Sequence, residues 1–125
     1  MSRAIMHKQD LGRKGEKLAK RYLKKKGYRH LASNYATRQG EIDLVMQAGD
    51  TLVFVEVKTR TGEDYAPPEQ VVNYGKRKRI GAAVRHFIQA YNVHDYPCRF
   101  DIVAVIIDDV DKPVIRHQEN ACSLI

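Results

Sequence analysis

The sequence predicts an α/β protein with a three-layer α/β/α fold, in which a mixed central sheet lies between helices. Three observations support this prediction. The segments Asp10–Gly27 and Glu69–Asn92 carry apolar residues at helical spacing. The segments 41–46 and 51–59 are rich in β-branched residues and are joined by a short turn-forming connection, which predicts a β-hairpin. Residues 99–107 form a nearly continuous apolar run, which is typical of a strand covered on both faces.

The predicted elements follow one another in the order helix, strand, hairpin, helix, strand. Asp10 can cap the first helix, and Gly27 can end it in the left-handed conformation. Residues 28–39 mix aromatic and polar side chains in near alternation, which predicts a first strand followed by a loop. A second loop is expected over residues 60–68, because this segment contains a glycine and two prolines.

The second helix is interrupted early by the segment Asn73–Gly75, so the part before it can form a separate turn. After the apolar strand, Asp108–Pro113 predicts a turn. Residues 114–116 can begin a short last strand, whereas the tail from Gln118 has no clear pattern.

Length and composition indicate one domain. The chain has 125 residues, of which 43% are hydrophobic, and this is enough for one packed core over residues 1–125. No stretch approaches the roughly 20 apolar residues of a membrane span, and no apolar signal-peptide region follows the basic N-terminus. Cys98 and Cys122 are too few for a disulfide scaffold and lack the spacing of zinc ligands. We therefore expect a cytoplasmic protein that does not bind membranes.

The charge of the chain favours a polyanionic partner. Lys and Arg number 22 and Asp and Glu 15, so the formal net charge is +7, and nucleic acid is the leading partner class. Basic surfaces also occur for solubility alone. Four consecutive basic residues begin the second helix, and among them Lys76, Arg77 and Arg79 are expected to contact phosphates. The alternative is a solvated helix face.

The strand 51–59 carries two charged residues in an otherwise apolar sequence. Side chains alternate along a strand, so Glu56 and Lys58 share one face with Phe54. Such a pair is often only a solvent-facing ion pair worth roughly a few tenths of a kcal/mol. The apolar setting predicts a central strand, where burying charges costs several kcal/mol unless they are paired or hold a metal. This cost favours a functional role.

A second acidic residue is expected close to Glu56. In the strand 41–46, alternation places Ile42 and Leu44 on one face and Asp43 on the other. A four-residue turn over 47–50 would make Asp43 a diagonal neighbour of Glu56, with Cβ atoms somewhat under about 7–8 Å apart. Two carboxylates at this separation can both reach one hard cation, and oxygen ligands are those that Mg²⁺ and Mn²⁺ prefer.

A lysine beside such a metal site completes the parts needed for phosphodiester hydrolysis. Lys58 would orient or deprotonate the attacking water, while the metal polarises the scissile phosphate. Two alternatives concern other polar residues: Glu41 can pair with a nearby cation such as Arg38, and Asp101 is expected to satisfy a buried polar network or Arg99. The five histidines show no ligand spacing and are expected at the surface or in helix packing.

Five motifs cover nearly the whole chain. They are GRKGE (12–16), GEIDLV (40–45), VFVEVKTR (53–60), VNYGKRKRI (72–80) and RFDIVAV (99–105). In these motifs the sequence resembles the YraN-like uncharacterised protein family, which is grouped with Holliday-junction-resolvase-like nucleases in the PD-(D/E)XK superfamily. The resemblance implies a restriction-endonuclease-like fold. The proline of the superfamily's name is absent, because Ile42 precedes Asp43.

The resemblance also implies roles for individual residues. Asp43 and Glu56 match the metal ligands, the backbone carbonyl of Val57 matches a third ligand, and Lys58 matches the catalytic lysine. Glu16 looks like the helix-borne acid that such nucleases often place next to the metal, although an exposed helix glutamate is an equal alternative.

The leading interpretation is a Mg²⁺- or Mn²⁺-dependent endonuclease that hydrolyses DNA, including branched or junction DNA. Two alternatives remain open: a non-catalytic nucleic-acid-binding module of the same fold, and a nuclease acting on RNA. One chain carries one candidate site, and two cuts need two sites, so we also expect a homodimer.

Overall fold

The computed structural model describes residues 8–61, 73–107 and 112–121, which form two helices and five strands. In chain order these are α1 (Lys8–Lys25), β1 (Arg29–Ala36), β2 (Glu41–Ala48), β3 (Thr51–Thr61), α2 (Tyr74–Tyr91), β4 (Cys98–Ile107) and β5 (Val114–Gln118).

The five strands form one mixed sheet in the order β1-β2-β3-β4-β5. The pair β3 and β4 is parallel, and the other neighbours are antiparallel. A parallel pair needs a crossover connection, and α2 lies between β3 and β4 in the chain. The strand that carries the charged pair is therefore the central strand of the sheet, as its apolar sequence predicted.

The two helices cover opposite faces of the sheet, which confirms the predicted three-layer fold. On one face α1 contributes Ala19 and Leu23 to a core cluster that includes Val53 and Val103. On the other face α2 packs its own apolar residues against the sheet: Ile80, Ala83, Val84 and Phe87. Helices on both faces bury the middle of β3 and β4, so a charged side chain there leaves water when the protein folds.

The end of α1 follows the predicted chemistry, but its beginning does not. Gly27 has a φ of 94°, and its N–H donates to the Lys24 carbonyl at 3.0 Å. The Tyr28 N–H donates to the Leu23 carbonyl at 3.0 Å, which completes a Schellman motif. The prediction that Asp10 caps α1 is wrong, because the helix already begins at Lys8. Asp10 lies in the first turn of α1, where its negative charge interacts favourably with the helix dipole.

Asn73, one of the residues predicted to interrupt the second helix, is its N-cap. Its side-chain oxygen accepts from the Lys76 N–H at 2.8 Å, and α2 begins at Tyr74. At the other end Asn92 takes the left-handed conformation with a φ of 53°. The predicted start of the helix at Glu69 lies outside the described residues.

The hairpin between β2 and β3 is tighter than predicted. Ala48 pairs with Thr51, so only Gly49 and Asp50 connect the strands, and the predicted four-residue turn is wrong. Gly49 has a φ of 60°, a conformation that two-residue hairpin turns require and glycine adopts without strain. The shorter turn changes the register of the whole hairpin.

The register brings the two predicted metal ligands closer together. Leu44 pairs with Val55 at the end of the β2–β3 ladder, so Asp43 lies at the level of Glu56 and not diagonal to it. The chain is irregular at Asp43: Ile42 packs on the α2 side of the sheet, whereas Leu44 packs on the α1 side. The prediction that these two apolar residues share a face is therefore wrong.

Beyond this last pair, β2 and β3 separate. The start of β2 continues to pair with β1, and the end of β3 continues to pair with β4. The opening between residues 41–43 and residues 56–58 is here termed the fork. Separated strands leave backbone groups without ladder partners, so the fork must satisfy them in another way.

Three further boundaries differ from the sequence predictions or lie beyond the structure. β3 extends through Thr61, two residues into the predicted loop, and the rest of that loop lies outside the described residues. Residues 108–111 of the predicted turn also lie outside them. The short last strand is present and reaches Gln118, two residues further than expected. Neither of the two described helices is long and apolar enough to cross a membrane.

Candidate active site

Glu56 and Lys58 are buried on the α2 side of the central strand. Each is only 6% exposed, and Phe54 on the same face packs in the core against α2. The alternation of side chains in β3 therefore predicted correctly that the two charged groups share one face. Their position at the fork, where β2 has moved away, leaves room for other polar groups beside them.

The Asp43 carboxylate joins the two sides of the fork. Its Oδ2 accepts from the Val57 N–H at 2.8 Å, in place of the ladder bond that the separated strands cannot form. In a strand the N–H and C=O of one residue point to the same side. The Val57 carbonyl therefore also faces the fork, where it adds an oxygen to those of Asp43 and Glu56.

The two acids lie in an unfavourable electrostatic setting. Burial and the negative charge of Glu56 raise the pKa of Asp43 to about 8, and Glu16 adds to the effect. The hydrogen bond from the Val57 N–H opposes this rise without cancelling it. So high a pKa means that the surroundings of Asp43 supply too little positive charge to stabilise its ionised form. A bound cation would favour that form.

Two lysines meet at one oxygen of Glu56. Lys76 Nζ lies 2.5 Å and Lys58 Nζ lies 3.4 Å from Glu56 Oε1. Burial and the neighbouring Lys76 lower the pKa of Lys58. Burial acts to lower the pKa of Lys76, but its hydrogen bonds to Glu56 and Lys58 and the charges of Glu56 and Asp43 together outweigh burial and raise that pKa. Lys58 is thus the lysine that loses its proton more readily, whereas Lys76 stays protonated beside the acid.

Glu16 approaches the fork from α1. In the orientation of the Asn34 amide that satisfies both of its ends, its nitrogen donates to Glu16 Oε1 and to Glu41 Oε1, each at 3.1 Å. Burial and the charges of Glu41 and Glu56 raise the pKa of Glu16. Glu16 is therefore a half-buried acid beside the fork and not an ordinary exposed helix residue. Glu41 interacts with Asn34 and forms no ion pair with Arg38 in the described part of the chain.

Two glycines bring the helices close to the fork. A side chain at Gly15 would collide with Thr59, the residue after the catalytic-lysine candidate, so only glycine lets α1 approach β3 here. A side chain at Gly40 would collide with the backbone carbonyl of Arg79. This second contact holds the β1–β2 connection against the first turns of α2, from which Lys76 reaches the fork.

The predicted phosphate-binding residues do not act as one group. Lys76 contacts Glu56, which together with Asp43 is here termed the acid centre. Arg77 is partly buried, and its Nε has no hydrogen-bond partner among the described residues. Arg79 is exposed on α2. Sequence patterns gave no indication that Lys76 belongs to the acid centre or that Asn34 joins two acids, because both contacts depend on how separate elements pack.

A second buried acid lies away from the fork. Asp101 is fully buried and accepts from the Arg99 guanidinium at 2.9 and 3.1 Å and from the Asn120 N–H at 2.9 Å. His117 Nε2 lies 2.7 Å from its other oxygen, and the His117 ring packs edge-on against Tyr22 of α1. This network joins β4, β5 and α1, which confirms the predicted structural role of Asp101.

Comparison with known proteins identifies the relatives of the chain. The sequence profile of the uncharacterised protein family UPF0102 matches residues 15–105. The UPF0102 protein of Pelotomaculum thermopropionicum is 42% identical over 112 residues, which cover 89% of this chain and 93% of that protein. The UPF0102 protein of Rhodococcus opacus is 40% identical over 117 residues, covering 94% and 99%. That of Geobacter metallireducens is 40% identical over 119 residues, covering 95% and 97%. The resemblance seen in the motifs is thus confirmed, and the chain belongs to the family UPF0102.

Proposed function

We propose that the fork is the active site of an endonuclease that depends on Mg²⁺ or Mn²⁺ and hydrolyses phosphodiester bonds in DNA. The observation that carries this proposal is the grouping of half-buried Asp43 with buried Glu56 and Lys58 at one opening of the sheet. Burying these charges costs free energy that a purely structural role would avoid with apolar residues. Their combination is the one that metal-assisted hydrolysis uses.

The donor groups of the fork suit a hard divalent cation. Asp43 and Glu56 supply carboxylates and Val57 supplies a carbonyl, and Mg²⁺ and Mn²⁺ prefer such oxygen ligands together with water. Within residues 8–61, 73–107 and 112–121, no three His, Cys, Asp or Glu side chains are arranged to hold a metal on their own. A cation at the fork would therefore rely on the carbonyl and on water to complete its coordination.

Lys76 would compete with a metal for Glu56, because its ammonium group already forms an ion pair with that carboxylate. It supplies positive charge to the acid centre, as a metal would. A divalent cation bound by Asp43 and Glu56 would weaken this ion pair, and Lys76 would then be free to turn towards a phosphate. The predicted phosphate contact of Lys76 is retained on this basis, as a contact made in the loaded state.

The chemistry divides among the residues of the fork. When bound, the metal would polarise the scissile phosphate and lower the pKa of water. Lys58, whose pKa is lowered by burial, can accept a proton from the attacking water or hold it by a hydrogen bond. Lys76 can stabilise the negative charge that develops on the phosphate oxygens. Glu16 and Asn34, which are hydrogen-bonded to each other, form the boundary of the fork on the α1 side.

DNA is proposed as the substrate from the resemblance and from the net charge of +7. The test is to incubate the purified protein with labelled duplex, single-stranded and four-way-junction DNA and with RNA, each with Mg²⁺, with Mn²⁺ and with EDTA. We expect metal-dependent cutting of DNA, strongest on branched forms. Cutting of RNA alone would reassign the substrate, and binding without cutting in every condition would identify a non-catalytic binding module and overturn the proposal.

A further inference from the structure

Four basic residues form one stripe along α1. Arg13, Lys17, Lys20 and Lys24 are spaced by four, three and four residues, which places them on the same face of the helix. The opposite face of α1 is buried against the sheet. The stripe therefore lies on the outside of the molecule, next to the edge strand β1.

The stripe forms one wall of a surface cleft. Ser33 and Asn34 of β1 and Leu44 of β2 also line the cleft, which has a volume of about 270 Å³. A second depression continues from it along α1, lined only by basic residues: Lys17, Lys20, Arg21, Lys24 and Lys25. These two adjoining depressions are here termed the α1 cleft.

Two positive charges of the stripe, those of Lys20 and Lys24, act on a residue of β1. Burial and the charges of Lys20 and Lys24 lower the pKa of His30, which shows that both ammonium groups lie close to this strand. In the described part of the chain no carboxylate forms an ion pair with Lys17, Lys20 or Lys24. An ordinary solvated helix face carries charges of both signs, whereas the stripe concentrates positive charge along a concave site whose acid, Glu16, lies at the end near the fork.

One end of the α1 cleft reaches the fork. Glu16 lines the cleft and also accepts from Asn34, whose amide joins it to Glu41 at the start of β2. A polyanionic strand lying in the cleft would therefore pass from the basic stripe to the acid centre. Such a change of sign along one path suits a polyanion that is held by its phosphates and approaches a metal-binding centre.

We propose that the α1 cleft holds the phosphate backbone of the nucleic-acid strand that enters the fork. The inference rests on the proposed function in taking that strand as the substrate. The stripe from Arg13 to Lys24 is about 16 Å long at 1.5 Å per helical residue. This length corresponds to about five phosphates along one strand of a duplex. Ser33 and Asn34 can add hydrogen bonds to phosphate oxygens.

The shape of α1 favours nucleic acid over an anionic lipid surface. A helix that lies on a membrane inserts an apolar face, but Ala19 and Leu23 of α1 are fully buried against the sheet. The basic residues also line a cleft and not a flat or protruding surface. A membrane would therefore gain only weak electrostatic contacts, whereas a single strand or one strand of a duplex can enter the cleft.

The test compares two variants that each remove two positive charges. One changes the cleft (Lys20→Gln with Lys24→Gln), and the matched control changes exposed residues elsewhere (Arg85→Gln with Lys112→Gln). Binding to a labelled DNA duplex and to the corresponding single strand is measured in EDTA over a series of salt concentrations. Circular dichroism and thermal melting establish that both variants keep the fold.

The cleft variant should bind DNA about tenfold or more weakly near 0.15 M salt, and its salt dependence should fall by about two in log–log slope. The control should change affinity by less than about threefold. Equal losses in the two variants would overturn the inference. So would stronger binding of the parent protein to phosphatidylserine vesicles than to DNA, with the cleft variant losing only the vesicle binding. Because EDTA prevents metal-dependent cutting, these results stand apart from whether the protein is a nuclease.

Discussion

Replacing Asp43 with asparagine should stabilise the metal-free protein at neutral and alkaline pH, although most substitutions of buried polar groups destabilise. The pKa of Asp43 is raised from its ordinary value of 3.8 to about 8 by burial and by Glu56. An acid with a raised pKa in the folded state contributes most to stability below about pH 4. This contribution is lost as the pH rises towards 8, because the folded state then holds a proton that the unfolded state has released.

The expected magnitude follows from this shift. At pH 7 unfolded Asp43 is ionised, about three pH units above its ordinary pKa, whereas folded Asp43 is mostly protonated. Relative to a group that never ionises, this difference lowers stability by about 4 kcal/mol. The asparagine oxygen can still accept from the Val57 N–H, but its amide nitrogen needs a new partner, which costs about 1–2 kcal/mol. A net gain of about 2 kcal/mol remains, and Tm should rise by about 5–10 °C.

Thermal unfolding of parent and Asp43→Asn in EDTA between pH 4 and pH 8 measures this effect. At pH 4 the variant should be slightly less stable than the parent, because little ionisation energy then offsets the cost of its amide nitrogen, and it should become the more stable protein as the pH rises. Asp101→Asn is the matched control: hydrogen bonds from His117 and Arg99 outweigh burial and lower the pKa of Asp101, so this change should destabilise the protein.

The order should reverse when Mn²⁺ is added. A ligand that binds only the folded state at 100 times its Kd adds about 2.7 kcal/mol. The parent should gain this stabilisation, and Asp43→Asn should gain little. If Asp43→Asn is less stable than the parent in EDTA at pH 8, or if Mn²⁺ stabilises both proteins equally, the electrostatic description of the fork is wrong.

Three further predictions concern the packing of α1, the metal and the assembly. Gly15→Ala should lower the free energy of unfolding by about 1–3 kcal/mol, because the added methyl group collides with Thr59, whereas Gly12→Ala has open space and should be neutral or stabilising by up to about 1 kcal/mol; chemical denaturation measures both. Glu56→Gln should weaken Mn²⁺ binding strongly in calorimetric titration, and binding equal to that of the parent would place the metal elsewhere. Light scattering over a concentration series, with and without junction DNA, should detect a homodimer, and a monomer that cuts both strands at paired positions would contradict this prediction.

The sequence predicted the layers of the fold and the central part of the site, because both follow from local patterns. Alternation in β3 placed Glu56 and Lys58 together, and apolar neighbours identified a central strand. The register of the hairpin was predicted incorrectly, since β2 continues through Ala48 and β3 begins at Thr51, which leaves a two-residue turn. A glycine at the first turn position was a usable signal for the shorter connection.

Other features of the site depend on long-range packing that no local pattern contains. The irregularity at Asp43 turns Ile42 and Leu44 to opposite faces, and it arises where β2 leaves β3 to remain paired with β1. Lys76 reaches Glu56 because α2 crosses the sheet at that level. Asn34 hydrogen-bonds two acids, Glu16 and Glu41. In the sequence it is only one polar residue of a predicted strand, and its left-handed backbone conformation is known only from the structure.

The most direct test of the proposed active site is single-turnover cleavage of a labelled four-way DNA junction in Mn²⁺ by the parent, by Lys58→Ala and by the matched control Lys112→Ala. Junction binding is measured in EDTA for the same proteins. The proposed mechanism predicts that Lys58→Ala loses cleavage while its affinity for the junction falls only modestly, because one lysine among many contributes little to the electrostatic attraction. The control should cut like the parent. Cleavage by Lys58→Ala at the parent rate would contradict the assignment of the fork as the active site.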